Sequence, residues 1–537
     1  MNSLFEAIFD TPKTSGYVLL DRRSEVVQEL SYERLVQVSR QGAAELSAAF
    51  PSASAGSVVV LVFNDPLKFV AALFACVYLG ATALPVAPRQ VRRLASRLRA
   101  AGATLVVAEQ ALLPGLTDAM EGVAVLGWSG CAPLGAAAKG VGGVGPAPQS
   151  EHEVALIQLS SGTTGEPNTI ELSPRNICSN ERIIARHFGH TSASRVLGWL
   201  PHTHDMGLFG TLLQPFFVDC VGYVARPNDF VREPLSWLRG ISRFAVTTSG
   251  APTFAYASCA CDPGFIDELD LSSWDVAFVG AEPVQTAVLG RFCDRFGAVG
   301  FDPKALMPCY GLAEAALFVT GERRGAGVRS IPCANGLVDG VTLVTPDVVC
   351  VGSIGEPGKT RVRLRRAGTL RATHPGDLAG EILVAGPSVT RSDGVAGTDN
   401  GWVATGDLGL LRGRRLYVCA RLKDVIKVRG RSVSLAEIDQ CVAATLEDPT
   451  VHVCSFDAPE PGGSNAVWVA LQSDHVRIEC DETLGRRIKA AVLADLGVSI
   501  RLRVFPPRPR RIVRTASGKL NRIATREACL LEPIAVV

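Results

Sequence analysis

The chain has 537 residues, 54 Lys+Arg against 52 Asp+Glu, a formal net charge of +2 and 47% hydrophobic residues. That length exceeds what one hydrophobic core organises, so several domains are expected, and the near-neutral balance gives no reason to expect nucleic acid or a membrane surface as partner. Its 15 cysteines are scattered without a Cys-x-x-Cys spacing, which reads as reduced thiols of a cytosolic enzyme rather than a disulfide framework or a zinc site.

Met1 to Gly16 lacks a basic start followed by a long apolar stretch, so no signal peptide is expected. Tyr17–Asp21 and Val26–Leu30 predict a hairpin, and Ser31 caps a helix running to Phe50. Val58–Phe63 predicts a strand, Pro66–Leu79 a helix and Ala81–Val86 a second strand. Phe69–Ala87 is apolar, but Gly80, Pro85 and Pro88 interrupt it, which favours a buried helix and strand over a membrane span. Helix Val91–Ala101 and strand Thr104–Val107 repeat the alternation that marks parallel α/β layers. Ser129–Ser150, rich in Gly, Ala, Pro and Ser, predicts an exposed loop.

The strand-like run Val154–Ile157 leads into Leu159-Ser-Ser-Gly-Thr-Thr-Gly-Glu-Pro-Asn168. Gly162 and Gly165 free the backbone to bend around an anion, while Ser160, Ser161, Thr163 and Thr164 add donors. No Gly-Lys-Ser/Thr ends the stretch, so it is not a Walker A loop; by itself it reads equally as a Ser/Gly surface turn. Asn176–Phe188 predicts a helix, followed by Leu197-Gly-Trp-Leu-Pro-His-Thr-His-Asp-Met-Gly-Leu-Phe-Gly210. His202 and His204 invite a metal reading that lacks a third ligand cluster; the alternative is a histidine at a helix entrance, near a reacting carboxylate. Strands Ala245–Gly250, Val276–Gly280 and Leu306–Leu312 end in small-residue turns, Gly280-Ala-Glu-Pro283 and Tyr310-Gly-Leu-Ala-Glu314 among them. Ligands of open α/β sheets gather at such carboxyl edges. Gly207, Gly210 and Ala251 suggest room in a pocket.

From Gly352 short β segments take over: Thr360–Arg365, Glu381–Ala385, Trp402–Thr405 and Arg415–Ala420. The charge run Arg363–Arg371 reads as a solvated face. Asp407, expected just after a tight turn, suits two ribose hydroxyls. Leu435–Leu446 predicts a helix, and a boundary at Arg421–Lys423 divides the chain into 1–420 and 421–537. Arg514-Thr-Ala-Ser-Gly-Lys519 puts a lysine on a Gly-containing loop, which taken alone is a solvent-exposed lysine.

The ordered set Ser160–Pro167, Trp199–Gly210, Gly280–Pro283, Tyr310–Glu314, Thr405–Gly409, Arg421–Asp424 and Ser517–Lys519 resembles the adenylate-forming superfamily of acyl-CoA synthetases, fatty acyl-AMP ligases, peptide-synthetase adenylation domains and luciferases. Leu200-Pro-His-Thr-His-Asp-Met-Gly-Leu208 and Tyr310-Gly-Leu-Ala-Glu-Ala-Ala-Leu-Phe-Val319 look most like the fatty acyl-AMP ligase branch, and Thr320–Cys350 sits where that branch carries an insertion. The alanine- and arginine-rich style also resembles acyl-CoA ligases of actinobacterial secondary metabolism, of the platensimycin type.

The resemblance implies an α/β fold: a large N-terminal domain of layered α/β sheets plus a small β-barrel, and a small α+β C-terminal lid turning about Lys423. It implies a cytoplasmic ligase in which a carboxylic acid and ATP, with Mg²⁺, give an acyl-adenylate, and a thiol of CoA or of a carrier protein's phosphopantetheine then takes the acyl group. By position, Gly280, Ala281, Glu282, Tyr310 and Gly311 would frame adenine, and Ser160, Thr163, Thr164 and Gly165 would hold phosphates. Glu314 would ligate Mg²⁺, Asp407 and Arg421 would grip ribose, His204 would gate the acyl pocket, and Lys519 would enter for adenylation.

Two departures stand out. The family loop continues Thr-Gly-x-Pro-Lys-Gly, whereas here Asn168 and Thr169 follow Pro167. Loss of that cation predicts weakened adenylation, with acyl-AMP supplied as substrate, or at the extreme a nucleotide-binding pseudoenzyme; retained Lys519, Asp407 and Arg421 speak against the latter. Gly430-Arg-Ser-Val-Ser-Leu-Ala-Glu437 lacks the Asn-His-Tyr-Pro run of many fatty acyl-AMP ligases, which inclines the acceptor toward CoA, with carrier protein as the alternative.

Overall fold

The computed structural model describes residues 3–51, 56–128, 146–147, 150, 153–160, 168–332, 336–338, 341–343, 347–355, 360–365, 377–390, 401–428, 431–446, 448, 450–459, 465–473, 478, 482–514 and 520–530. Thr163, Thr164, Gly165, Gly430, Lys519 and most of the Ser129–Ser150 stretch lie outside the described residues.

Two mainly parallel sheets carry the N-terminal two thirds. In the first, Ala124–Trp128, Ala103–Glu109, Val58–Val62, Thr82–Pro85 and Leu156–Ser160 run parallel in that order, and Asn168–Leu172 closes the edge antiparallel to Leu156–Ser160. In the second, Leu306–Gly311, Val276–Val279, Thr248–Ala251, Arg195–Gly198, Val221–Val224 and Gly16–Leu20 are parallel, with antiparallel strands at either edge.

The apolar stretch near residue 70 folds as predicted into a 14-residue helix, Pro66–Leu79. The Asp65 carboxylate accepts from the Leu67 and Lys68 amides at 2.9 and 3.2 Å, and Gly80 ends the helix at φ +69°; only glycine adopts that conformation without strain. Twelve of its side chains are buried, so the helix is apolar all round because protein surrounds it. Each fully buried Leu, Val or Phe contributes roughly 1.5–3 kcal/mol relative to exposure. Among the described residues no helix is long and apolar enough to cross a membrane.

The β-rich segment departs from expectation. Ser330–Pro332, Asp347–Ser353, Arg415–Arg421, Val403–Arg412, Leu378–Ala385 and Arg361–Arg365 form, in that order, an open antiparallel sheet rather than a barrel. One edge strand has three residues and ends in Pro332, which has no N–H to donate; the other places arginines at alternate positions. Both features discourage further pairing. Beyond it, Val451–Pro459, Asn465–Ser473 and Ile500–Phe505 form a three-stranded sheet packed by helices Leu435–Leu446 and Glu482–Leu496, an α+β unit as expected. A small sheet joins Val341–Leu343 to Arg431–Ser434 and so pairs strands from both sides of the expected boundary.

Buried histidines make stability depend on pH, His190 among them. His190 bridges Thr248 Oγ1 at 3.1 Å and the Gln214 amide at 3.2 Å, and burial, with Arg324 nearby, lowers its pKa to about 4. The unfolded chain therefore takes up a proton near pH 6.5 that the folded chain refuses until about pH 4. Stability should fall as pH drops through that window, by at most about 3 kcal/mol from this residue. Urea denaturation midpoints from pH 7 to 4 should show the decline, and His190→Gln should reduce its slope; an unchanged pH slope in that variant would contradict the assignment.

Candidate active site

The carboxyl ends of Arg195–Gly198, Thr248–Ala251, Val276–Val279 and Leu306–Gly311 line one edge of the second sheet, because these four strands are parallel neighbours. Gly280 and Ala281 follow the third strand, and Gly311 ends the fourth. A Cβ at Gly280 would lie 2.7 Å from the Cys309 carbonyl oxygen, and one at Gly311 would lie 2.1 Å from that of Leu317. Backbone meets backbone there, and no larger residue fits. Ala281 holds φ +68°, a left-handed conformation unusual for alanine. Glu282 is occupied in holding the fold, since its Oε1 accepts from the Phe254 amide at 2.7 Å, at the start of helix Thr253–Cys261.

Tyr310 and Asp407 lie 97 positions apart, yet the Tyr310 hydroxyl donates to Asp407 Oδ2 at 2.7 Å. Arg421 Nε donates to Asp407 Oδ1 at 2.8 Å across the rung that pairs the two residues. Asp407 is 4% exposed. It does not follow a turn but sits inside the ten-residue strand Val403–Arg412, where Gly406 at φ +71° breaks the ladder. The Thr405 hydroxyl accepts from the Asp407 amide at 3.1 Å and donates to the Ile382 carbonyl at 2.9 Å, so the bulge itself is held. Burial and the adjacent Asp407 carboxylate raise the Tyr310 phenol well above its usual range, and Asp407 makes Arg421 a still weaker acid. Past Arg421 the chain takes one 3₁₀ turn, Leu422–Asp424, which contains Lys423.

Glu314 lies on a three-residue 3₁₀ turn, Ala313–Ala315. Burial raises its carboxyl pKa; Arg421 opposes the rise, while Asp205 and Asp407 add to it. A desolvated carboxylate with two others in its field favours a cation. Among the described residues no three His, Cys, Asp or Glu side chains converge to hold a metal. Mg²⁺ is commonly bound through one or two carboxylates, with phosphate oxygens and water completing the shell. A buried carboxylate of this kind fits such a cation, and Glu314 would hold it.

His204 stands at a helix entrance as expected, capping Asp205–Gly207. Its Nδ1 lies 2.7 Å from Asp205 Oδ1 and 3.2 Å from the Met206 amide. Nδ1 accepts from the Met206 amide, so the neutral ring carries its proton on Nε2, which can donate to a ligand oxygen. His202 is different: its ring stacks on Phe69 at 4.3 Å, burial lowers its pKa to about 4, and its Nε2 meets no hydrogen-bond partner among the described residues. The two histidines serve separate surroundings rather than one metal. Gly207 also proves to be a packing position, since a Cβ there would lie 2.2 Å from the Pro201 carbonyl oxygen, and at Gly210 one would press on Leu317 at 3.3 Å. Gly207 supplies no pocket room.

The phosphate loop lies outside the described residues, but its two stems are present, closed by the Ser160–Asn168 rung and followed by Leu159–Thr169. The exit stem meets the Glu314 turn through Thr390, whose amide donates to the Glu314 carbonyl at 2.8 Å and whose hydroxyl donates to the Glu171 carbonyl at 2.6 Å. Sequence reasoning missed Thr390, and also Asp205 as the partner of His204; the Asp205 contact follows a motif already noted, whereas Thr390 has no local signal.

Residues 13–392 match the family described as AMP-binding enzyme. The chain belongs to that family. AMP-binding enzymes of this kind make up the adenylate-forming superfamily, and the sequence relatives are ligases. The medium-chain-fatty-acid–[acyl-carrier-protein] ligase JamA of Moorena producens is 30% identical over 95% of this chain and 91% of its own. The ligase TtuA of Teredinibacter turnerae, of the same description, is 31% identical over 70% of this chain; the match spans 63% of TtuA, just under two thirds. A fatty acyl-adenylate ligase structure, from work on the E. coli and L. pneumophila enzymes, superposes with a TM-score of 0.83 at 28% identity, covering 98% of both chains. The O-succinylbenzoate coenzyme A synthetase of Bacillus subtilis, at 19% identity and TM-score 0.73, shares the fold. As an AMP-binding enzyme the chain is an acyl-adenylate-forming ligase with the mixed α/β architecture of that superfamily.

Proposed function

We propose that this AMP-binding enzyme activates a fatty acid as its adenylate and loads the acyl group onto the phosphopantetheine of an acyl-carrier protein. The observation that carries the adenylate half is the bonded trio Tyr310–Asp407–Arg421, with Glu314 within the electrostatic reach of Asp407 and Arg421. A carboxylate held by a phenol and a guanidinium is oriented to accept two ribose hydroxyls. The acyl carboxylate attacks the α-phosphorus of ATP and pyrophosphate leaves; the carrier thiol then attacks the acyl carbonyl and AMP leaves. Mg²⁺ held at Glu314 would offset the charge that gathers on phosphate oxygens. His204, fixed by the Met206 amide, offers Nε2 beside the reacting carboxylate. Gly280, Ala281 and Gly311 supply a backbone wall for the base, the phosphate loop from Ser160 through Thr163, Thr164 and Gly165 the donors, and Lys519 the cation brought by a lid, residues 421–537, that turns at Lys423.

For the acceptor, the two carrier-protein ligases among the relatives support this reading better than CoA, which the sequence around Gly430 had favoured. Synthetic decanoyl-AMP offered to equal CoA and holo carrier protein decides the matter. Acyl-carrier thioester should dominate; decanoyl-CoA as the main product would restore the CoA reading. Failure to turn over the adenylate with either thiol would leave a nucleotide-binding protein.

A further inference from the structure

Helix Pro174–Phe188 opens with a capping box: the Asn176 amide donates to Ser173 Oγ at 3.2 Å, and Asn176 Oδ1 accepts from the Ser173 amide at 2.9 Å. Four residues on, and so on the same helical face, stands Asn180, which is fully buried. Its Nδ2 donates to the carbonyls of Ala315 at 3.0 Å and Phe318 at 2.8 Å, and its Oδ1 accepts from the Phe318 amide at 3.1 Å. Both amide hydrogens and the carbonyl oxygen of this side chain are therefore engaged by one short loop. That loop needs holding. It runs from the Glu314 turn to Phe318 and includes Ala316 at φ +63°, a left-handed conformation costly for alanine. Its own backbone bonds, from the Ala315, Ala316 and Leu317 amides to the Leu312, Ala313 and Ala315 carbonyls, stay within the loop and do not tie it to the helix. Asn176 steadies the opposite side: its Nδ2 donates to the carbonyls of Pro387 and Val389, both at 2.9 Å, next to Thr390, whose amide bonds the Glu314 carbonyl.

We propose that Asn180, seconded by Asn176, is a positioning residue for the cation side of the site: it holds the Ala313–Phe318 loop so that the Glu314 carboxylate stands in fixed register with the exit stem of the phosphate loop. The inference rests on the reading of Glu314 as the cation's holder. Asn180 touches no reacting atom and acts through the loop.

The test uses the full chain and Mn²⁺ as probe, with a non-reacting ATP analogue bound and free Mn²⁺ followed by electron paramagnetic resonance. Removing a residue that orients a metal ligand typically costs about ten- to a hundredfold in metal affinity. Asn180→Ala should weaken Mn²⁺ binding about tenfold and raise by a similar factor the Mg²⁺ concentration that half-saturates adenylation. It should affect acyl transfer from synthetic acyl-AMP much less. Asn176→Ala, a milder lesion at a site 8% exposed, should move the same readouts in the same direction and serves where Asn180→Ala folds poorly. In the double variant with Glu314→Gln, the loss should be no greater than with Glu314→Gln alone. If Glu314→Gln weakens Mn²⁺ binding but the asparagine variants do not, or if the losses simply add, the positioning role is overturned while Glu314 keeps its own. If Glu314→Gln leaves Mn²⁺ binding unchanged, the reading of Glu314 fails first and the positioning role falls with it.

Discussion

Asp407→Asn is expected to lower adenylation about a hundredfold while leaving the fold intact. Asparagine has the shape of aspartate, but it removes the negative charge and replaces one acceptor oxygen by a donor. Asp407 accepts a hydrogen bond from Tyr310 on one oxygen and from Arg421 on the other, at 2.7 and 2.8 Å, from a position 4% exposed. A hydrogen bond to a charged group is worth roughly 1.5–3 kcal/mol. Loss of orientation at two such bonds, discounted because the Arg421 side chain is 45% exposed, comes to about 3 kcal/mol, or about a hundredfold in rate. Tyr310→Phe keeps the ion pair and should cost about tenfold or less. ATP–pyrophosphate exchange, with melting temperature as the control for folding, checks both. An Asp407→Asn enzyme within a few-fold of the native rate would mean that the trio braces the sheet and does not grip the ribose.

Asn168→Lys should act in the opposite direction and raise pyrophosphate release about ten- to a hundredfold. Asn168 pairs with Ser160 on the rung nearest the phosphate loop, so a side chain there starts from the loop's own stem. The resemblance to the adenylate-forming superfamily implies a lysine at this point, and a cation would restore a charge-assisted bond to phosphate worth roughly 1.5–3 kcal/mol. Thr169 sits one rung further out, opposite Leu159, and its β-branched side chain suits an extended strand. Thr169→Gly alone should therefore loosen the stem, by roughly 0.5–1 kcal/mol, without restoring activity. Pyrophosphate release from ATP and decanoic acid, measured beside thioester formation from decanoyl-AMP, separates the half-reactions. Native adenylation already faster than acyl transfer, with no gain from the lysine, would reject the idea that Asn168 limits the first step.

Much of the architecture was legible in the residues alone. Pro66 and Gly80 bracket a helix by local chemistry, and Ser31 caps another, because caps and left-handed ends are satisfied within a few residues. Strand alternation likewise announced the parallel layers, since period and burial are properties of a single segment. The candidate residues Gly280, Tyr310, Glu314, Asp407 and Arg421 were visible as motifs, although their partners were not.

Those partners emerge only on folding. Asp407 reads as the end of a turn, yet it lies within a strand whose bulge becomes apparent only against Ile382. Glu282 reads as part of an adenine frame, yet its carboxylate caps a helix 28 positions earlier. Gly207 reads as space, yet the Leu200–Pro201 backbone fills it. Asn180 carried no signal at all, because its three bonds reach across some 135 positions to a loop that exists only once the two parallel sheets have packed. Local chemistry specifies the elements and the family motifs they bear. Packing selects which donor meets which acceptor, since a hydrogen bond depends on separation in space, and chain order constrains that only over a turn or two.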